Sequence, residues 1–371
     1  MIEQTFEEVF TLEALLKAHK KGRQSKRKKK SIVKFEISMF ERIYKLYNEI
    51  KTNKYKISAY NSFVVYEPKR REIQTLLYRD RIVQHVLCDD VLMPYFSKRA
   101  ILDNCVCQIG KGTHFALDRF GAKLKKFVEK NGEKGYVLKC DIHKYFPSIS
   151  HTELKRIVLK EVKDAKLRAM IEKMIDSYHT NKKYLERHNI STLGDLEKTM
   201  RGVPIGNQTS QVFGMFYLNE VDRLIKEKLQ VKIYSRYMDD FVIVHQDKNF
   251  LEKVLEEIKK VTNKLCLSLN KKTQIFPLKN GITYLGFRFV IKNNKVTKRV
   301  STKTIKRFIA RAKLLNRAFA DNLIDETKVK QSLNAYHGHL MHGDCFKLEK
   351  DLHKRIKINE IKSNRIRLWN N

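Results

Sequence analysis

The chain has 371 residues, of which 42% are hydrophobic and 10% aromatic, enough to bury a core and to exclude a disordered protein. Its 77 lysines and arginines exceed its 41 aspartates and glutamates, which gives a formal net charge of +36. Such a charge attracts polyanions, and no apolar run approaches the ~18 residues that a membrane-spanning helix needs. We therefore expect a nucleic-acid partner and no membrane. The N-terminus shows no apolar signal-peptide core, so we expect a cytoplasmic protein.

The N-terminal part of the chain is predicted to be helical and basic. Apolar residues at helical spacing predict helices over 5–19 and 37–50. A nearly continuous run of basic residues lies between them, over 20–30, and is either a solvated, flexible linker or an arm that contacts RNA. We assign residues 1–55 to an N-terminal helical extension with a basic linker.

The middle of the chain mixes short strands with helices. Strands are predicted over 62–67 and 136–142, on both sides of a turn within 233–244, and as a strand pair over 282–290. Helices are predicted over 79–96, 113–129, 151–176, 210–229 and 248–265, with turns or loops over 68–71, 178–200 and 202–209. From about residue 302 the chain is helical and very basic. This order predicts an α+β protein.

Three aspartates lie where apolar strands end. Asp141 closes the strand that precedes it, and Asp239 and Asp240 occupy the turn between two apolar runs. Strand side chains alternate between faces, so one of the turn aspartates can point at Asp141 if the strands are neighbours. Carboxylates held side by side need a compensating cation, and oxygen ligands suit magnesium. Two carboxylate stations across one cleft can hold two Mg²⁺ ions roughly 3.5–4 Å apart for phosphoryl transfer.

Several sequence blocks, in a fixed order, resemble those of reverse transcriptases. Tyr237-Met238-Asp239-Asp240 resembles the signature of that family, and Asp141–Phe146 is similar to its first catalytic-aspartate motif. Further matching blocks cover 65–73, 78–85, 110–114, 202–211, 269–273, 284–287 and 335–342. The resemblance spans about residues 55–350. It implies a right-hand polymerase, with fingers and a palm with a small antiparallel sheet over 56–290, an insertion or loop over 178–200, and a basic helical thumb over 291–371.

The resemblance also implies a role for each matched residue. Asp141, Asp239 and Asp240 are expected to be catalytic and, with Ile142, to bind two Mg²⁺ ions, for which Mn²⁺ is a possible substitute. The residues expected to contact the incoming nucleotide are Lys69, Arg71, Phe146, Ile205, Gly206, Gln211 and Lys272. Those expected to contact primer or template are Tyr237, Met238, Gly286 and His339. The implied activity is RNA-directed DNA synthesis, with an RNA template, a DNA or RNA primer and dNTPs.

Two of these positions bear on selectivity. A bulky ring at Phe146 would exclude a ribose 2′-hydroxyl, although a phenylalanine in the core would look the same in the sequence. Most reverse transcriptases carry glutamine where this chain has Ile205, and losing a polar contact is expected to lower fidelity. The segment 205–211 resembles the enzymes of diversity-generating retroelements, which copy RNA with errors at adenines and work with a small basic accessory protein.

Other interpretations remain open at this stage. Lys69 and Arg71 also suit an ordinary charged turn, and Lys272 suits a plain surface position. A related reverse transcriptase that defends against phage would share the same chemistry. A non-catalytic RNA-binding scaffold would need only the positive charge. A zinc site at His337, His339, His342 and Cys345 is disfavoured because the spacing matches no usual zinc pattern.

Overall fold

The structure is a computed structural model, and it describes residues 1–66, 69–180 and 200–355. The chain divides into two compact units. The first comprises residues 1–112, 138–243 and 249–274, and the second comprises 113–137, 244–248 and the residues from 275 onwards. The predicted turn over 68–71 lies partly outside the described residues, as does most of the predicted insertion over 178–200 and the end of the predicted thumb. The domain boundaries expected from the sequence stay a prediction.

The first unit begins with helices α1 (Phe6–Val9), α2 (Leu12–Gly22), α3 (Lys30–Glu36) and α4 (Met39–Lys51). The single helix predicted over 5–19 is two helices, because Thr11 accepts a hydrogen bond from the Ala14 N–H and starts α2 anew. The basic run over 20–30 therefore includes the end of α2 and the start of α3. Residues 23–29 between them form a mostly exposed turn, and the choice between a flexible linker and an RNA-contacting arm stays a prediction.

A hairpin and a long helical segment follow. Strands β1 (Asn61–Val65) and β2 (Arg71–Thr75) pair antiparallel, with Val65 opposite Arg71. Helix α5 (Tyr78–His85) continues into a π-helical turn (Val86–Leu92) and then into α6 (Met93–Arg99). These three parts occupy the single helix predicted over 79–96. The strand β2 was not predicted, because its charged sequence lacks the alternation that marks a half-buried strand.

The central sheet places the three aspartates. Strands β3 (Tyr136–Asp141), β4 (Ile233–Tyr237) and β5 (Asp240–His245) lie in the order β4-β5-β3. Around it in the first unit lie α8 (Tyr145–Ser148), α9 (His151–Leu159), α10 (Ala165–Asp176), α11 (Gln208–Tyr217), α12 (Asn219–Arg223), a π-helical turn (Leu224–Lys228) and α13 (Lys248–Lys264). Helix α11 is almost wholly buried, and Phe216 on it stacks on Phe96 with ring centroids 3.8 Å apart. The helix predicted over 151–176 is divided because Asp164 caps α10 through the Leu167 N–H.

The second unit contains α7 (Thr113–Asn131), β6 (Gln274–Pro277), a 3₁₀ turn (Leu278–Asn280), β7 (Ile282–Tyr284), β8 (Phe287–Lys292), β9 (Lys295–Val300), α14 (Thr302–Ala320), α15 (Glu326–Leu340) and α16 (Phe346–Arg355). Strands β7, β8 and β9 form an antiparallel sheet in that order. Phe120 of α7 packs on it, with ring centroids 5.6 Å from Tyr284 and 5.2 Å from Phe289. The fold is α+β with small antiparallel sheets, which confirms the predicted class. Among the described residues no helix has the length and apolarity to cross a membrane.

Candidate active site

The turn between β4 and β5 consists of Met238 and Asp239, and Asp240 is the first residue of β5. Met238 has a positive φ of 59°, which is uncommon for a residue with a side chain. A buried arginine supports this conformation, because Nη1 of Arg236 donates a hydrogen bond to the Met238 carbonyl over 2.9 Å. The turn is therefore fixed by an interaction from within its own strand.

The sheet order brings the three aspartates to one place. Strand β5 lies next to β3, so Asp240 at the start of β5 and Asp141 at the end of β3 lie at neighbouring strand ends. Asp141 lies close enough to act electrostatically on both Asp239 and Asp240. This is the convergence that the positions at strand ends predicted. The three side chains are half-buried.

Burial and mutual repulsion disfavour the ionised forms of two of these groups. Burial raises the pKa of Asp239, Asp141 adds to that effect, and the positive charges of Arg71 and Lys69 oppose it. Burial also raises the pKa of Asp240 to about 6, and both neighbouring aspartates contribute. Lys139, whose Nζ lies 3.7 Å from Asp240 Oδ1, acts the other way. These three cations offset the burial and the repulsion only in part, because the pKa of both aspartates stays raised.

The donor chemistry of this cluster suits a divalent cation. Asp240 Oδ1 is buried, and within the described residues no donor lies within hydrogen-bonding distance of it, since Lys139 Nζ is 3.7 Å away. Hard oxygen ligands of this kind are what Mg²⁺ prefers. Within the described ranges, however, no three histidine, cysteine, aspartate or glutamate side chains are arranged as a ready-made metal site. The same finding leaves the zinc alternative at His337, His339, His342 and Cys345 without support in the described part of the chain.

The segment after Asp141 is held by the chain that follows α13. The Asn270 N–H donates to the Asp141 carbonyl over 2.7 Å, and the His143 N–H donates to the Ser268 carbonyl over 2.9 Å. Ile142 lies buried between these two bonds. Lys272 is exposed on the same segment, and its backbone N–H donates to Asn270 Oδ1. Its predicted contact with a nucleotide stays a prediction.

Two cations on the β1–β2 hairpin act on Asp239. Lys69 precedes β2 and Arg71 begins it, and both side chains are exposed. Their charges reach Asp239 and favour its ionised form. The structure therefore places these two exposed residues near Asp239, and their predicted contact with a nucleotide stays a prediction.

Phe146 lies on α8 beside the buried helix α11. A Cβ placed on Gly214 would lie 3.3 Å from Phe146 Cε1 and 3.2 Å from Met238 Sδ, so Gly214 leaves room for both side chains. Phe146 is only half-buried, and its ring is tilted 61° to that of Tyr145. Phe146 is therefore not a fully enclosed core residue. A role at the sugar requires this partial exposure of the ring.

The loop before α11 contains Ile205 and Gly206 and contacts the hairpin. The Gln74 N–H donates to the Ile205 carbonyl over 2.8 Å. Gly206 has a φ of +135°, and a Cβ there would lie 2.5 Å from the Gln74 carbonyl oxygen, so only glycine fits. Gln211 is exposed on α11, where Oε1 accepts a weak bond from the Cys107 thiol.

The remaining predicted residues fall at different places. Tyr237 ends β4 and is half-buried, and Met238 is buried in the turn. Gly286 and His339 belong to the second unit. The Gly286 carbonyl accepts from the Ser301 N–H, and the His339 ring packs on Phe287. Their predicted contacts with nucleic acid stay predictions.

Sequence analysis missed three residues that shape the site: Lys139, Arg236 and Asp222. Arg236 and Asp222 are fully buried and paired, and Lys139 pairs with Asp240. The sequence did contain a signal for Arg236, since a charged residue within the apolar run 233–244 is seldom buried unless it is paired. The sequence did not show which acid was its partner.

Two sequence comparisons with known proteins show the family of this chain. The family model for reverse transcriptase (RNA-dependent DNA polymerase) matches residues 19–289, about three quarters of the chain. Protein YkfC of Escherichia coli K12 is 25% identical over 270 residues, which cover 62% of this chain and 67% of that protein. The family match confirms the expected right-hand polymerase fold.

Solved structures give only a remote likeness. Telomerase from Candida albicans in complex with a fragment of telomeric RNA has a TM-score of 0.44 and 16% identity, covering 71% of this chain and 50% of that one. Apo telomerase from Candida tropicalis has a TM-score of 0.45 and 15% identity, covering 65% and 47%. The chain thus spans about half the length of these telomerases, and the assignment does not depend on them. On the family match over residues 19–289, the chain belongs to the reverse transcriptase (RNA-dependent DNA polymerase) family.

Proposed function

We propose that this protein is an RNA-directed DNA polymerase that adds dNTPs to a DNA or RNA primer on an RNA template with the help of two Mg²⁺ ions. The observation that carries the proposal is the meeting of Asp141, Asp239 and Asp240 at neighbouring strand ends, where repulsion and burial raise the pKa of two of them. A divalent cation bound among these carboxylates would offset their mutual repulsion and stabilise their ionised forms. The family match supplies the reaction class.

The side chains of the site have separable tasks in this reaction. The carboxylates of Asp141, Asp239 and Asp240, with the Ile142 carbonyl, would hold the metal ions, which supply activation of the primer hydroxyl and neutralise charge on the leaving group. Lys69 and Arg71 lie on the exposed hairpin near Asp239 and would bind the triphosphate. Phe146 would press against the sugar and exclude a 2′-hydroxyl. Phosphoryl transfer depends on this positioning more than on covalent chemistry.

The biological setting that we propose is error-prone cDNA synthesis in a diversity-generating retroelement, with a small basic accessory protein as a possible partner. The support is the loop segment Ile205–Gln211, in which an apolar residue replaces a polar one where the loop meets the hairpin. A phage-defence reverse transcriptase is the alternative, since it would use the same site. Inspection of the neighbouring genes for a template repeat and a variable repeat that differ at adenines distinguishes the two.

A primer-extension assay with RNA template, Mg²⁺ and dNTPs tests the activity. The wild type should extend the primer, and Asp239→Asn should lose at least about 10³-fold in rate. Asp321→Asn, an exposed residue after α14, is the control and should keep full activity. Mn²⁺ binding, followed by electron paramagnetic resonance, should weaken in Asp239→Asn and not in the control. Wild-type protein that binds RNA but incorporates no nucleotide would instead indicate a non-catalytic RNA-binding scaffold.

A further inference from the structure

Two side-chain hydrogen bonds hold the junction between the loop that contains Ile205 and Gly206 and the start of α11. Asn207 Nδ2 donates to the Tyr60 hydroxyl over 3.0 Å, and Gln208 Nε2 donates to Asp89 Oδ1 over 2.7 Å. The front of the same loop, at Ile205 and Gly206, lies against the hairpin. The loop therefore takes its position from groups on both sides.

Asp89 is the more elaborate of the two anchors. It lies in the π-helical turn Val86–Leu92, and its Oδ2 accepts from His85 Nδ1 over 3.0 Å and from Lys21 Nζ over 2.9 Å. These bonds to Oδ2 leave Oδ1 free to accept from Gln208. π-Helical turns occur often at functional sites, because the extra residue redirects side chains.

The chemistry of the contacts fixes the orientation of each group. Burial acts to raise the pKa of Asp89, but the bonds from His85 and Lys21 outweigh it and lower the pKa overall. An ionised carboxylate only accepts, so the Gln208 amide must present its NH₂ to Asp89 and His85 must carry its proton on Nδ1. The buried Oε1 of Gln208 has no partner within the described residues, so the bond to Asp89 is what holds this side chain.

The next residue provides a natural comparison. Asp90 Oδ1 pairs with Lys17 Nζ over 2.9 Å. Asp89 and Asp90 thus have the same side chain, adjacent positions and one lysine partner each from α2. Of these two aspartates, Asp89 is the one that bonds to Gln208, the first residue of α11.

We infer that Asp89 is a positioning residue that, through Gln208, sets the distance of Ile205 and Gly206 from the nucleotide and so tunes nucleotide selection. The inference rests on the proposed function of the site. It assigns to Asp89 no contact with substrate. Its effect passes through a charge-assisted hydrogen bond, which is stronger and more directional than a neutral one.

The test is a complementary pair of isosteric substitutions. Gln208→Glu places two carboxylates face to face and should raise the KM for the correct dNTP about tenfold, with a smaller change in kcat and a changed ratio of correct to incorrect incorporation. Adding Asp89→Asn restores a donor opposite an acceptor and should recover most of that loss. Asp90→Asn, the matched control, should leave all three quantities unchanged.

Two readouts separate this inference from the proposed function. Amide hydrogen exchange over residues 202–211 should quicken in Gln208→Glu, return towards wild type in the double variant and stay unchanged in Asp90→Asn, whether or not the protein polymerises. Equal exchange in Gln208→Glu and wild type would overturn the inference, as would equal KM and selectivity in an active enzyme. A wild type with no activity but the expected exchange pattern would overturn the proposed function and leave the positioning contact confirmed.

Discussion

Arg236 and Asp222 form an ion pair that is fully buried, with both side chains 0% exposed. Arg236 Nη2 lies 2.5 Å from Asp222 Oδ2 and its Nε lies 2.7 Å from Oδ1, so the contact is bidentate. The Tyr234 hydroxyl also donates to Asp222, and Arg236 donates to the carbonyls of Met215 and Met238. The pair therefore connects helix α12 to the turn that presents Asp239.

Removing one member of this pair should destabilise the protein strongly. Arg236→Met leaves the Asp222 carboxylate buried without its counter-charge, which should lower the free energy of unfolding by about 3–5 kcal/mol in urea denaturation. Arg156→Met is the control, since Arg156 is 47% exposed and pairs with Glu153 and Glu220 at the surface. That change should cost about 1 kcal/mol or less. Similar losses in the two variants would contradict a special role for the buried pair.

The stability of the metal-free protein should depend on pH through Asp240. Its folded pKa of about 6 lies above the ordinary value of 3.8, so the folded state favours the protonated acid. That contribution is complete below pH 3.8 and is lost as the pH rises through 6, to a total of up to about 3 kcal/mol. In EDTA, Asp240→Asn should therefore melt at a higher temperature than wild type at pH 7.5, with a clearly smaller difference at pH 4.5, where about two thirds of the contribution remains.

Two further measurements complete that comparison. Mg²⁺ at pH 7.5 should raise the melting temperature of wild type and have less effect on Asp240→Asn, because the ion offsets the repulsion among the acids. Asp321→Asn should follow wild type at every pH. If the melting temperatures of wild type and Asp240→Asn differ by the same amount at every pH between 4.5 and 7.5, the pKa of Asp240 is not raised.

Phe146 should control discrimination against ribonucleotides. Phe146→Ala removes the ring beside Gly214 and should raise the relative use of rNTPs over dNTPs by about tenfold or more, since the barrier is steric. Steady-state incorporation of single nucleotides on an RNA template measures the ratio. Tyr145→Phe is the matched control, because it removes only the hydroxyl that donates to the Gly214 carbonyl over 2.6 Å. An unchanged ratio in Phe146→Ala would assign the ring to packing alone.

The basic turn between α2 and α3 should bind RNA through its phosphates. Lys26, Lys28, Lys29 and Lys30 are exposed and form no ion pair within the described ranges. Replacing all four by glutamine should weaken binding of single-stranded RNA and flatten the plot of log affinity against log salt by up to about 3. The control replaces Lys163, Lys166, Lys259 and Lys260, which already pair with glutamates, and should change the slope less. Equal slopes for the two variants would show that the lysines of this turn are solvated and do not contact the RNA phosphates.

The sequence predicts the position of the three aspartates better than it predicts the individual strands. The meeting of Asp141 with the Asp239–Asp240 turn followed from the position of each residue at a strand end, because strand geometry and the order of the motifs fix those positions. The strands β2 and β9 could not be recognised in the same way. Their sequences, Arg71–Thr75 and Lys295–Val300, are rich in charged residues and mostly half-buried, so no alternation of apolar and polar residues marks them.

The interactions that support the site were also beyond the sequence. Arg236 finds Asp222 fourteen positions upstream, and Gln208 finds Asp89 more than a hundred positions upstream. Such pairs arise from tertiary packing, which leaves no periodic trace in either segment. The divisions at Thr11 and Asp164 were visible as capping residues and were overlooked because the apolar spacing continues across them.

The π-helical turn at Val86–Leu92 determines the direction around the helix axis in which the following side chains point. A residue more or less in an α-helix rotates the downstream side chains by roughly 100°, given 3.6 residues per turn. Deleting one residue here would thus rotate Asp89 away from its partners, although the helix itself would become more regular. The irregular turn therefore contributes to the direction in which the Asp89 side chain points rather than to the stability of the helix.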